Sequence, residues 1–147
     1  MGLDKITIKL QEALQGAQRL ASTSDHAELK SEHLLLGLLQ QKEGLAIPSL
    51  EKAGANLTAL KASLITALDK EPRVQGASTQ PHLSNDLKSM LDVADEIRYE
   101  MADEFLSVEH VLLGAMRVRG SVGKLMLEAG VTPEALEKVL GEIRGSQ

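Results

Sequence analysis

Ser31-Glu32-His33-Leu34-Leu35-Leu36-Gly37-Leu38-Leu39 returns as Val108-Glu109-His110-Val111-Leu112-Leu113-Gly114-Ala115-Met116, an offset of 77 residues in a chain of 147. Working outward, Leu10, Leu14, Ala17 and Leu20 recur as Leu87, Leu91, Ala94 and Ile97 at the same offset. After the loss of one residue, Ala53-Gly54 returns as Ala129-Gly130, and Leu60 and Leu64 as Leu136 and Leu140. Two copies of so long a period point away from a solenoid and towards one compact domain of paired, pseudo-symmetric halves. The expected organisation is a single domain over residues 1–145: repeat one at 3–69, a linker at 70–82 and repeat two at 83–145.

The periodicity is helical throughout, which predicts an all-α fold of eight helices, four per half. Ile6, Leu10, Leu14, Ala17 and Ala21 step by three or four and describe one apolar stripe. Leu83, Leu87, Leu91, Ala94 and Ile97 describe its counterpart, with Ser84 as N-cap and Asp86 favourable in the first turn. The Glu-His segments open the next helix of each half; Ser107 caps the second copy, and Lys30 or Ser31 the first. These helices are apolar almost all round, so each should be the buried centre of its half. Short helices beginning near Pro48 and Ser121 should end at Gly54 and Gly130, where left-handed C-terminal caps are wanted. Asn56 and Thr132-Pro133-Glu134 announce the last helix of each half. The linker, with Pro72, Gly76 and Pro81, should lie over the surface, and no segment alternates in the manner of a strand.

Composition narrows function mostly by exclusion. The net charge of −5 and six acids against Arg98 alone across residues 92–104 would repel nucleic acid and anionic membranes, although a solvated helix face explains the acids as well. No cysteine is available for a disulfide, a thiol nucleophile or a thiolate metal site. No apolar run reaches membrane-span length and no signal peptide is recognisable, so a soluble cytoplasmic protein is expected. Tyr99 and Phe105 are the only aromatics, leaving the core to aliphatic residues and closely packed helices. Apart from Met1, the methionines (Met90, Met101, Met116, Met126) all fall in the second half. Core filling accounts for any one of them; the asymmetry hints that an exposed groove would be lined more by that half.

No phosphate loop of the Walker type and no Gly-x-Ser-x-Gly elbow is present, so catalytic residues are expected to be none and this chain alone does not hydrolyse ATP. The histidines are His26, His33, His82 and His110. Within Glu32-His33 and Glu109-His110 the side chains diverge by about 100° on a helix and cannot readily share one ion. The better account places each Glu in a first turn, where the helix dipole favours an anion, and each His as a packed, hydrogen-bonded residue at a helix entrance. No metal or cofactor site is therefore expected; a metal-dependent enzyme built on the duplicated pairs is the rival reading.

The paired Glu-His-Leu-Leu-Leu-Gly-Leu and Glu-His-Val-Leu-Leu-Gly segments, each followed by Ala-Gly and another helix, resemble the double Clp N-terminal domain of Clp ATPases. Leu3 to Leu14, Glu71 to Gly76 and Asp103 to His110 are most similar to the ClpB branch, the bacterial disaggregases. The resemblance covers essentially the whole chain and implies a substrate-handling fragment, monomeric in isolation. It would engage exposed apolar segments of unfolded or aggregated client proteins and pass them to the pore of a hexameric ring. It also implies ATPase modules, with ATP and magnesium, outside this fragment. Thr7, Asp103 and Glu109 match positions associated with substrate handling; Leu91 and His110 are candidates for an apolar furrow along the junction of the halves. Thr7 looks the most exposed, on the polar side of its helix stripe. Asp103 and Glu109 could equally cap a helix, and Leu91 belongs equally to the core stripe. The alternative within the family is docking of a dedicated adaptor, or of one helix of a sheath protein as in a secretion-linked relative.

Overall fold

The computed structural model describes residues 5–75 and 80–145; the linker residues 76–79 and the opening Leu3-Asp4 lie outside the described residues. Eight helices occur among the described residues: α1 (Ile8–Thr23), α2 (Ser31–Leu39), α3 (Ala46–Lys52), α4 (Leu57–Asp69), α5 (Asn85–Glu100), α6 (Val108–Val118), α7 (Ser121–Glu128) and α8 (Pro133–Gly145). The all-α expectation of four helices per half describes this arrangement. Side-chain caps start the helices where the sequence places them. The Leu87 N–H donates to Ser84 Oγ (3.1 Å), the Ala59 N–H to Asn56 Oδ1 (3.0 Å) and the Ala135 N–H to Thr132 Oγ1 (3.1 Å). α3 begins two residues before Pro48, which leaves the proline inside the first turn, where its missing N–H has no partner to lose.

α1 pairs with α2, and α5 with α6, as closely approached hairpins. The repeated glycine of each motif makes that approach possible: a Cβ on Gly37 would lie 2.7 Å from the Ala13 carbonyl oxygen, and one on Gly114 3.0 Å from that of Met90. All nine residues of α2 are buried, and α6 is buried except at its last residue, Val118, and along the edge that carries Glu109, Leu113 and Arg117. The two halves share one aliphatic core running from Ile6 to Leu140.

The halves interpenetrate rather than abut. α7 packs against α2 and α4 of the first half, and α3 against α6 and α8 of the second. Between them Gly54 and Gly130, at φ +104° and +105°, close α3 and α7 with the expected left-handed caps. They lie back to back: a Cβ on Gly130 would fall 2.7 Å from the Gly54 carbonyl oxygen. The Asn56 N–H donates to the Ala129 carbonyl (2.9 Å), and Ser121 Oγ–H to the buried Glu32 carboxylate (2.9 Å). Where α4 meets α7 the junction carries a shallow depression of about 320 Å³, lined by Ala62, Ser63, Thr66, Ala67, Lys70 and Leu125.

Two short parallel pairings correct the expectation that no strand would occur. β1 (Glu28–Leu29) pairs with β2 (His82–Leu83), and Ile6 bridges to Leu106. Ile6 and Leu83 are repeat equivalents, as are Leu29 and Leu106. Each half thus sends the residues ahead of its first helix across to the other half. Two-residue strands carry too little alternation to be read from sequence. The last linker residue is tied to the first half, the His82 N–H donating to the Ala27 carbonyl (3.2 Å), and just beyond the linker the Ser84 N–H donates to the Leu29 carbonyl (2.9 Å).

Candidate functional site

The chemistry of the chain gathers where α1 and α5 end and α2 and α6 begin. α1 terminates with Asp25 in the left-handed region (φ 58°) and the His26 N–H bonded back to the Ala21 carbonyl. α5 repeats the motif with Ala102 (φ 58°) and the Asp103 N–H on the Arg98 carbonyl. These turns aim residues 26 and 103 at the imidazole seven positions on. In both halves that imidazole stands at the third position of the next helix and reaches back to its start. His33 Nδ1 accepts from the Lys30 N–H, and His110 Nδ1 from the Ser107 N–H, each at 2.9 Å. The side-chain half of a capping box is thus supplied by histidine in place of glutamate. Because Nδ1 accepts, the ring proton of each neutral imidazole sits on Nε2.

What Nε2 meets differs. His33 Nε2 donates to His26 Nδ1 (2.9 Å), and the far nitrogen of His26 is buried without a hydrogen-bond partner. Burial, reinforced by the His26 ring, lowers the His33 pKa to about 4. His110 Nε2 donates to Asp103 Oδ2 (2.7 Å). Arg144, near the end of α8, then grips Asp103 with both terminal nitrogens (2.9 Å each) and Glu109 with one (2.8 Å). The guanidinium holds the Asp103 carboxyl below its usual value, with the His110 hydrogen bond adding to the shift.

Three of the five expected site residues, Asp103, Glu109 and His110, come together here; Thr7 and Leu91 do not join them. Asp103 and Glu109 are half-buried and face Arg144; neither serves as an N-cap, the alternative weighed for them. His110 is adjacent but only 1% exposed, so it orients the cluster and does not line a furrow. Thr7 is not on a helix face: it is the N-cap of α1, half-buried, its Oγ1 accepting from the Leu10 N–H (3.3 Å). Its own N–H donates to the Leu106 carbonyl (3.0 Å), which ties it to the 103–110 segment. Leu91 is corrected outright: 4% exposed on the inner face of α5, it belongs to the core. Sequence reading missed Arg144 and His26. The 77-residue offset from Asp103 pointed to His26; nothing local marked Arg144. It also missed Ile8 (75% exposed) and Phe105 (45% exposed), which flank the Ile6–Leu106 bridge.

Asp103, Glu109 and His110 present ligand atoms within 4.8 Å of one another, the geometry a metal would need. Arg144 already supplies a cation to both carboxylates. His110 could ligate through Nε2 only by moving its proton to Nδ1, against the Ser107 N–H. The donor set fits an internal guanidinium better than an ion. No described helix is long and apolar enough to cross a membrane.

Comparison with known proteins places this architecture. The chaperone protein ClpB of Pseudomonas putida is 38% identical over 145 residues, which cover 99% of this chain and 17% of that protein. Mycobacterium bovis ClpB is 38% identical over 140 residues, covering 95% and 16%. The chain thus spans about a sixth of the length of these relatives. The Hsp104 N-terminal domain from Candida albicans superposes with a TM-score of 0.84 at 20% identity, over 97% of this chain and 93% of that one. The N-terminal domain of the ClpV1 ATPase from E. coli EAEC gives 0.77 at 27% identity, over 93% and 84%. Residues 5–129 match the model of the Clp repeat (R) N-terminal domain, and the chain belongs to that family.

Proposed function

We propose that residues 1–145 form one substrate-binding module of a ClpB-type, ATP-dependent protein disaggregase. The module engages exposed apolar segments of unfolded or aggregated proteins and delivers them to the pore of a hexamer. It binds and does not transform its client; ATP and magnesium serve ATPase modules elsewhere in the protein, in the cytoplasm, away from nucleic acid and membranes. The observation that carries this reading is the pair of exposed aliphatic and aromatic side chains, Ile8 and Phe105, on either side of the Ile6–Leu106 bridge. They stand beside Thr7 and the Asp103–Glu109 cluster, the positions the family resemblance marks. Apolar contact worth about 25 cal/mol per Å², less the ordering cost of the client, gives weak and reversible capture, and several copies on a ring restore avidity.

The similarity to a ClpV1 N-terminal domain supports a second reading, docking of a dedicated adaptor or of one helix of a sheath protein. NMR titration with unfolded casein separates the two. Weak, saturable shifts at Ile8, Thr7 and residues 103–110, reproduced by unrelated unfolded proteins, support the disaggregase module. Silence towards several unfolded proteins favours the adaptor.

A further inference from the structure

A groove of about 490 Å³ opens in the second half, between the end of α5, the outer edge of α6 and the start of α8. It lies apart from the Ile6–Leu106 bridge, and its volume falls within the range of small-ligand and peptide pockets. Met101, Leu113 and Pro133 contribute half-buried apolar surface, and Met116 lies beneath them. Two methionines make a floor that reshapes itself around different aliphatic side chains.

The rim decides what such a side chain would bring with it. Glu100 and Arg117 face each other at 3.1 Å and largely neutralise one another. The wall formed by α8 carries Glu134 and Glu137, three residues apart on one face, both exposed and without an ion-pair partner among the described residues. Glu134 is favoured by the positive end of α8, but Glu137 lies a turn further in and has no such compensation. Arg119, at the end of α6, is the one opposing cation of the rim without an ion pair among the described residues. Two carboxylates without ion pairs, one of them also beyond the reach of the helix end, against one guanidinium favour a cationic occupant.

We propose that this groove takes a short client segment in which a bulky aliphatic side chain is flanked by lysine or arginine. The aliphatic group enters over Met101 and Leu113 while the cation lies along Glu134 and Glu137. The inference rests on the client-binding reading above and gives it a second contact with its own chemical preference.

The methionines supply the readout. In methyl NMR of the whole chain, a short peptide of leucine, lysine and serine should shift Met101 and Met116 and leave the core methionines Met90 and Met126 in place. A counterpart with glutamate for lysine should bind more weakly. The double variant Glu134→Lys, Glu137→Lys, confined to exposed positions, should weaken the lysine peptide about fivefold and favour the glutamate one. Equal binding of both peptides, or an unchanged preference in the variant, overturns the proposal. Shifts at the Ile8 methyls with Met101 and Met116 silent overturn the groove alone and leave the client-binding module standing. No response anywhere, to either peptide or to casein, overturns both.

Discussion

At the first helix entrance the His33 imidazole meets the His26 ring; at the second, seven residues from the same kind of turn, the His110 imidazole meets the Asp103 carboxylate. The backbone is the same in both: a left-handed residue closing the preceding helix, and a histidine reaching back to the start of the next. The first is sealed, and burial keeps its His33 ring neutral. The second opens to solvent and gathers two carboxylates and a guanidinium. Duplication preserved the hydrogen-bonded scaffold and left one side-chain position, 26 or 103, to decide whether the imidazole meets a second ring or a carboxylate. It is the charged copy that lies beside Thr7 and the exposed Ile8 and Phe105.

The largest test removes an imidazole. His110→Ala strips the Ser107 N–H of its acceptor and Asp103 of a donor and leaves a buried void; it should cost about 3 kcal/mol in urea unfolding. His33→Ala should cost a similar amount, and a loss under 1 kcal/mol at either site would break the equivalence.

Acid should separate the halves next. Unfolded His33 takes up a proton near pH 6.5, whereas folded His33 resists until about pH 4. The unfolded state therefore binds more protons across that window. Stability should fall on the order of 2 kcal/mol as pH drops from 6.5 to 4, and be steady above it. The sign at Asp103 follows from its lowered pKa: its contribution is present above the ordinary value of 3.8 and is lost only below it. Thermal melts across pH should show the first loss abolished in His33→Gln, whose amide can still accept the Lys30 N–H.

A smaller effect is expected of Arg144→Gln, about 1 kcal/mol, because the guanidinium is partly solvated. The loss should shrink in 1 M salt, while the cost of His33→Ala should not change. The smallest concerns the turns themselves. Ala102→Gly should stabilise by about 0.5 kcal/mol, since alanine occupies a left-handed conformation there. Asp25→Gly should be nearly neutral, because aspartate tolerates that conformation better. Equal effects would show that the turns are not equivalent.

The repeat, the helix count, the caps at Ser84, Asn56 and Thr132 and the glycine stops were legible because each rests on contacts a few residues apart. The role of the imidazoles was legible for the same reason, since the reach from His33 to Lys30 is set by helix geometry. Thr7 lay one position outside the helix it was assigned to, and the distinction between N-cap and first turn turns on a single ψ angle. Leu91 was ambiguous because an apolar stripe cannot tell core from furrow until the partner helices are placed. Arg144 was beyond local reading: it reaches Asp103 across 41 positions, after α6, α7 and α8 have been stacked.

The crossed pairings, Ile6 with Leu106 and Leu83 with Leu29, mean that neither copy of the motif is complete by itself. A chain holding one copy would keep a vacant edge ahead of its central helix and a loose leader with nothing to pair with. Two such chains would complete each other by trading leaders about a two-fold axis. On that view the linker at residues 70–82 is a covalent tie between what were once the subunits of a homodimer.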